Sequence, residues 1–141
     1  MKTILISFLL LFGPWLNPQP NYSITIKINA IKNNKGKILI SLYNSTAGFP
    51  TDITKAVRLI KINAQSPAVE VILHDLGRGT YAVAVMHDEN NNGKMDKNFL
   101  NIPKEGYCVS NNAKGFLSAP SFSDAKFDLE GNITQNLKMI Y

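Results

Sequence analysis

The sequence predicts an all-β protein: a single antiparallel β-sandwich of about seven strands with one long Asn- and Gly-rich loop. Three observations carry that expectation. Apolar residues recur with a period of two along several short runs, as in a strand with one buried face. Gly, Pro, Asn, Asp and Ser punctuate the chain between those runs. Almost no stretch offers the apolar spacing that a helix of ordinary length needs.

The chain begins with a targeting segment. Met1-Lys2 supplies a positive start, residues 3–12 are apolar apart from Thr3 and Ser7, and Gly13-Pro14 breaks the run. About ten apolar residues are too few to cross a bilayer of roughly 30 Å as a helix, but they suit a signal-peptide core. Residues 1–20 are therefore read as signal peptide and Pro-rich spacer, and 21–141 as the β-domain. This implies export to the periplasm or beyond, with no stable membrane span after cleavage. An uncleaved anchor is the alternative, and the absence of cysteine near the boundary argues against a lipid anchor.

Within 22–30, Tyr22, Ile24, Ile26, Ile28 and Ala30 alternate with polar residues, which reads as a half-buried strand. Asn33-Asn34-Lys35-Gly36 is a turn, and 38–43 alternates again, so the two runs are expected to form a hairpin. Residues 44–52 form a loop around Gly48-Phe49-Pro50, after which Thr51 or Asp52 is placed to cap a helical turn. Strands follow at 57–62 and 69–73. The run 81–87 is apolar on both faces, which predicts a place in the middle of a sheet. Two last strands are expected at 125–129 and 133–141, around Glu130-Gly131-Asn132.

The 141 residues suffice for one domain, and 45% hydrophobic content provides an ordinary globular core. The formal charge is +5, but the fifteen basic residues are scattered. A nucleic-acid surface would show a basic stripe interleaved with aromatics, so no nucleic-acid partner is expected. The single cysteine, Cys108, leaves no internal disulfide framework. Between Tyr107 and Val109 it reads as a buried small hydrophobe, not a nucleophile.

Residues 88–124 are too long for a passive connection, since structureless loops beyond roughly 12–15 residues are uncommon unless functional. At its start Asp88, Asn90, Asn92, Gly93, Lys94 and Asp96 follow the spacing of a calcium loop. In that pattern, alternate side-chain oxygens, a backbone carbonyl (here that of Lys94) and a turn-forming glycine surround a hard cation. Phe99 stands where a closing bidentate Glu belongs, so a further acid must come from elsewhere, and Asp124 or Glu105 is placed to supply it. So few carboxylates predict weak calcium affinity, in the ~10⁻⁴–10⁻³ M range. The competing reading is an Asn/Gly turn whose side chains bond only their own backbone. His74 and His87 are the only imidazoles, which makes zinc the lesser option.

The spaced blocks His87 to Asp96, Pro103-Lys104-Glu105-Gly106-Tyr107, Ser110-Asn111-Asn112 and Pro120-Ser121-Phe122 with Asp124-Ala125 resemble the DUF2141 family. The resemblance extends upstream through Gly48-Phe49-Pro50 and the stretch from Leu76 to Tyr81. It implies an exported bacterial protein and brings no activity. Cys108 stands where the family's Tyr-Gly-Phe-Ser stretch carries glycine. The Leu76 to Tyr81 turn also resembles those of transthyretin-like and carboxypeptidase-regulatory-like sandwiches, although Gly77-Arg78 replaces their prolines.

Three functions are compatible with these residues. The first is an exported binding or structural module, in which a calcium-ordered loop with Phe99, Tyr107 and Phe116 contacts a partner protein or a glycan. The second is a hydrolase-type enzyme using His87 and the surrounding acids. Ser110 with His87 and Asp88 or Asp124 can be drawn as a triad, but no nucleophile-elbow pattern surrounds Ser110. The third is a small-ligand carrier with a pocket between two sheets.

Overall fold

The computed structural model describes residues 21–141, so the signal peptide read at 1–20 lies outside the described residues. Eight strands follow in order: β1 (Tyr22–Asn29), β2 (Lys37–Tyr43), β3 (Arg58–Asn63), β4 (Ala68–Leu76), β5 (Gly79–Asp88), β6 (Gly106–Val109), β7 (Phe127–Leu129) and β8 (Ile133–Lys138). A four-residue helix, α1 (Phe122–Ala125), precedes β7. The protein is all-β.

The strands make two sheets packed on one core. One has the order β4-β1-β8, and the other runs β3-β2-β5-β6, with β7 also pairing to β5. The strand alternation aims Ile24, Ile26 and Ile28 of β1 at Ile38, Ile40 and Leu42 of β2 and at Val83 and Val85 of β5, all in one buried cluster. Each such side chain contributes about 1.5–3 kcal/mol on burial. On the outer face of the larger sheet, Tyr43, Ala82, Ala84, Val109 and Ala125 form a second cluster, covered by Phe49 and Phe122. β5 is therefore buried on both faces and lies between β2 and β6, as its apolar run predicts.

The expected hairpin between 22–30 and 38–43 does not form. β1 pairs with β4 and β8, whereas β2 pairs with β3 and β5. Residues 30–36 cross between the sheets, and Ile31 drops into the core on the way, its N–H bonded to the Pro67 carbonyl at 2.9 Å. Both runs carry an apolar face, and placing them in opposite sheets lets the two faces bury each other. Nor is every pairing antiparallel, because β1 and β8 run parallel, with Ile24 opposite Ile133. The eighth strand, β6, falls inside the predicted long loop. Residues 122–125, partly assigned to a strand, instead form α1, whose first turn is capped by the Ser121 hydroxyl accepting the Asp124 N–H at 3.2 Å. Asp52 caps a 3-10 turn (Ile53–Lys55), as expected, by accepting the Thr54 N–H at 3.0 Å.

Candidate functional site

β2 and β5 pair with Lys37 opposite Asp88, so β5 ends where the 30–36 crossing arrives. Three contacts fix that end. Gly36 packs on it at φ +67°, where an added Cβ would collide with the Asp88 carbonyl, so only glycine serves. The fully buried His87 ring places Nε2 2.7 Å from the Lys35 carbonyl and Nδ1 2.6 Å from the Tyr141 hydroxyl. Asn33 donates to the Glu89 carboxylate at 2.9 Å.

Asp88, only 2% exposed, turns its carboxylate into the loop that follows. Oδ1 accepts the Asn92 N–H at 3.1 Å and Oδ2 accepts the Gly93 N–H at 2.8 Å. Gly93 sits at φ +73°, giving the sharp bend that the sixth place of a calcium loop requires. Asn90 Oδ1 accepts the Asn92 N–H at 3.1 Å, and Asn92 Oδ1 accepts the Lys94 N–H at 2.8 Å. The Asp96 carboxylate then receives Asn92 Nδ2 at 3.0 Å and Asn90 Nδ2 at 2.5 Å. Asn90 and Asn92 thus meet Asp96 through their amide nitrogens while their oxygens hold backbone N–H groups, the pattern of the Asn/Gly turn.

Glu105 braces the loop from below. It is 5% exposed, and one carboxylate oxygen accepts the Glu89 N–H at 3.1 Å while the other accepts the Asp96 N–H at 3.1 Å. The Lys104 N–H returns to the Asp96 carbonyl at 2.8 Å. Glu105 thereby ties the beginning of the loop to its ninth position. Its sequence signal is weak, because the role depends on β6 starting at Gly106.

Asp124 does not join this cluster. Its carboxylate accepts the Ser121 hydroxyl at 2.6 Å. The neighbouring Ala125 carbonyl is bonded to Ser110, which in turn meets Val83. Val83 and Asp88 are five residues apart along β5, roughly 16 Å at a strand's ~3.3 Å rise. The expectation that Asp124 completes the loop is therefore corrected. Its place in the sequence, near the end of the long connection, does not reveal which end of β5 it returns to.

The remaining candidates lie away from this loop or serve the sheet. The buried Ser110 hydroxyl accepts the Val83 N–H at 2.9 Å and donates to the Ala125 carbonyl at 2.6 Å. It fills the gap in the ladder between the β5–β6 pairing, which ends at Ala84, and the β5–β7 pairing, which ends at Tyr81. Cys108 is buried, and desolvation pushes its thiol up to about 12. His74 is exposed on β4, in the other sheet from His87. Tyr107 is half-buried against Ile140, whereas Phe99 and Phe116 are exposed. Side chains of the core cluster fill the space between the sheets.

Among the described residues, no group of three or more His, Cys, Asp and Glu side chains is placed to hold an ion. The loop instead offers two carboxylates, Asp88 and Asp96, with the Asn90 and Asn92 amides and the Lys94 carbonyl. An all-oxygen set of that kind suits calcium or magnesium more than zinc.

A family model described as "Uncharacterized protein conserved in bacteria (DUF2141)" matches residues 26–136. The chain belongs to the DUF2141 family. The matched span runs from β1 into β8 and contains the whole braced loop. No curated protein and no solved structure matches the chain. The DUF2141 description assigns no activity, so a functional reading must come from the loop's geometry. Among the described residues of this DUF2141 protein, no helix is long and apolar enough to cross a membrane.

Proposed function

We propose that this DUF2141 protein is an exported β-sandwich module whose loop, residues 88–105, is ordered by a weakly bound calcium ion and carries the contact surface. One observation supports the ion above all: Asn90, Asn92 and Asp96 converge behind the bend at Gly93, while Asp88 holds that bend from the end of β5. Asp88, Asn90, Asn92, Asp96 and the Lys94 carbonyl are the ligands in this reading. In this reading the Asn90 and Asn92 oxygens, which now accept the N–H groups of Asn92 and Lys94, meet the ion through their second lone pairs or after the loop adjusts around it. Glu105 is the brace in this reading, tying the N–H groups of Glu89 and Asp96 together. Calcium would neutralise the clustered carboxylates and hold the loop in one shape.

The hydrolase reading finds less support. His87 is fully buried with both ring nitrogens engaged, and Ser110 is committed to the sheet ladder. A general base must reach a substrate proton, and this imidazole faces none.

Titration calorimetry with calcium tests the proposal. One saturable site in the ~10⁻⁴–10⁻³ M range is expected. Absence of any binding heat through that range overturns it.

A further inference from the structure

Beyond the loop that follows β5 the chain makes a second, tighter turn that gathers three exposed large apolar side chains, against the exposed pair Phe116 and Leu117 elsewhere. Lys97 and Pro103 face each other in a bridge, and between them the chain projects outward. Phe99 is 95% exposed, Leu100 62% and Ile102 53%. Three neighbouring large apolar side chains in water are unfavourable unless something covers them.

The backbone of this tip is bonded within itself. Asn98 donates its N–H to the Ile102 carbonyl at 2.9 Å, and Asn101 donates to the Asn98 carbonyl at 2.9 Å. The Asn98 side-chain oxygen accepts the N–H of Leu100 at 2.9 Å and of Ile102 at 3.0 Å. Four of the five N–H groups from Asn98 to Ile102 are thus satisfied without water. Such a turn can leave water for an apolar medium without stranding those donors, a step that costs several kcal/mol per unsatisfied group for ordinary loops. A partner protein brings its own donors and acceptors and does not need this self-sufficiency.

Charge points the same way. Lys97 and Lys104 flank the base of the tip, both exposed, and Lys94 lies just before it. Among the described residues the ion pairs are Lys27–Glu70 and Arg78–Glu130, so these three ammonium groups are uncommitted. Of the nearby carboxylates, Glu105 is buried on backbone N–H groups and Asp96 is held by the Asn90 and Asn92 amides. An apolar tip ringed by lysines complements the boundary between acyl chains and anionic headgroups.

We infer that the tip formed by Phe99, Leu100 and Ile102 docks the protein onto an anionic phospholipid bilayer, with Lys97 and Lys104 meeting the headgroups. This rests on the loop being the contact surface, not on calcium being bound to it. The test uses the full chain carrying Phe99→Trp, with the parent protein's Trp15 emission subtracted so that only the tip is read. The protein is mixed in chelator with vesicles of phosphatidylglycerol or of phosphatidylcholine, with and without brominated acyl chains. The expected result is a blue shift and bromine quenching of the tip's emission on phosphatidylglycerol. Lys97→Gln with Lys104→Gln should weaken that partitioning about thirtyfold. Emission unchanged on both lipids overturns the inference, as does equal partitioning onto phosphatidylcholine. A shift seen only when other proteins are added would assign the tip to a protein partner and also overturn it. Because chelator is present throughout, a negative result here is independent of the calcium titration.

Discussion

The Glu105 carboxylate accepts the backbone N–H of Asp96 at 3.1 Å from a position almost wholly out of solvent. With its other oxygen it holds Glu89, so one side chain determines how the loop leaves β5 and how it bends back. Glu105→Ala strands two N–H donors and is expected to cost about 2–3 kcal/mol. Glu105→Gln keeps one acceptor and should cost less. Urea denaturation of the two variants measures both, and equal, negligible losses would show that the brace carries no load.

Gly36 should tolerate nothing larger. An added methyl at φ +67° meets the Asp88 carbonyl, and the left-handed backbone alone costs about 1–2 kcal/mol for a residue with a Cβ. Gly36→Ala is expected to lower stability by at least that amount, as read by thermal unfolding.

Ser110→Ala removes the hydroxyl that bridges Val83 and Ala125 inside the sheet. The loss should be about 1–3 kcal/mol, because the Val83 N–H is left buried without an acceptor. A Ser110→Ala protein that is as stable as the parent would reopen Ser110 to a role other than filling the ladder.

Cys108 gives a pH dependence of known sign. Burial raises the folded-state value from 9.0 to about 12. The folded protein therefore keeps its proton where the unfolded chain has lost it, and stability falls as pH rises through that window. Cys108→Ala should flatten this alkaline decline. In the native state the thiol should react slowly with a disulfide reagent at neutral pH and fully in denaturant. Fast native labelling would contradict its burial.

What the sequence disclosed depended on range. The bonds of the loop after β5 span two to six residues, from Asn90–Asn92 to Asn90–Asp96, so the spacing of Asp and Asn was enough to mark a side-chain-bonded turn there. β5 was legible because an apolar run on both faces has only one kind of place in a sheet. Pairing was not. The runs at 22–30 and 38–43 look like a hairpin locally, but each finds its partners dozens of residues away, as with Ile28 and Val69. β6 is four residues beginning with glycine, too short to show a period, and with it went the bracing role of Glu105. The placement of Asp124 failed for the same reason: α1 returns to β5 beside Ser110, far from Asp88.

Thermal unfolding of the parent and of Asp88→Ala, each with calcium and with chelator, tests the central claim most directly. With calcium at a hundred times its dissociation constant, the parent should gain about 2.7 kcal/mol. Asp88→Ala should gain nothing. A parent protein that melts identically in calcium and chelator, or an Asp88→Ala variant stabilised as much as the parent, would contradict the account.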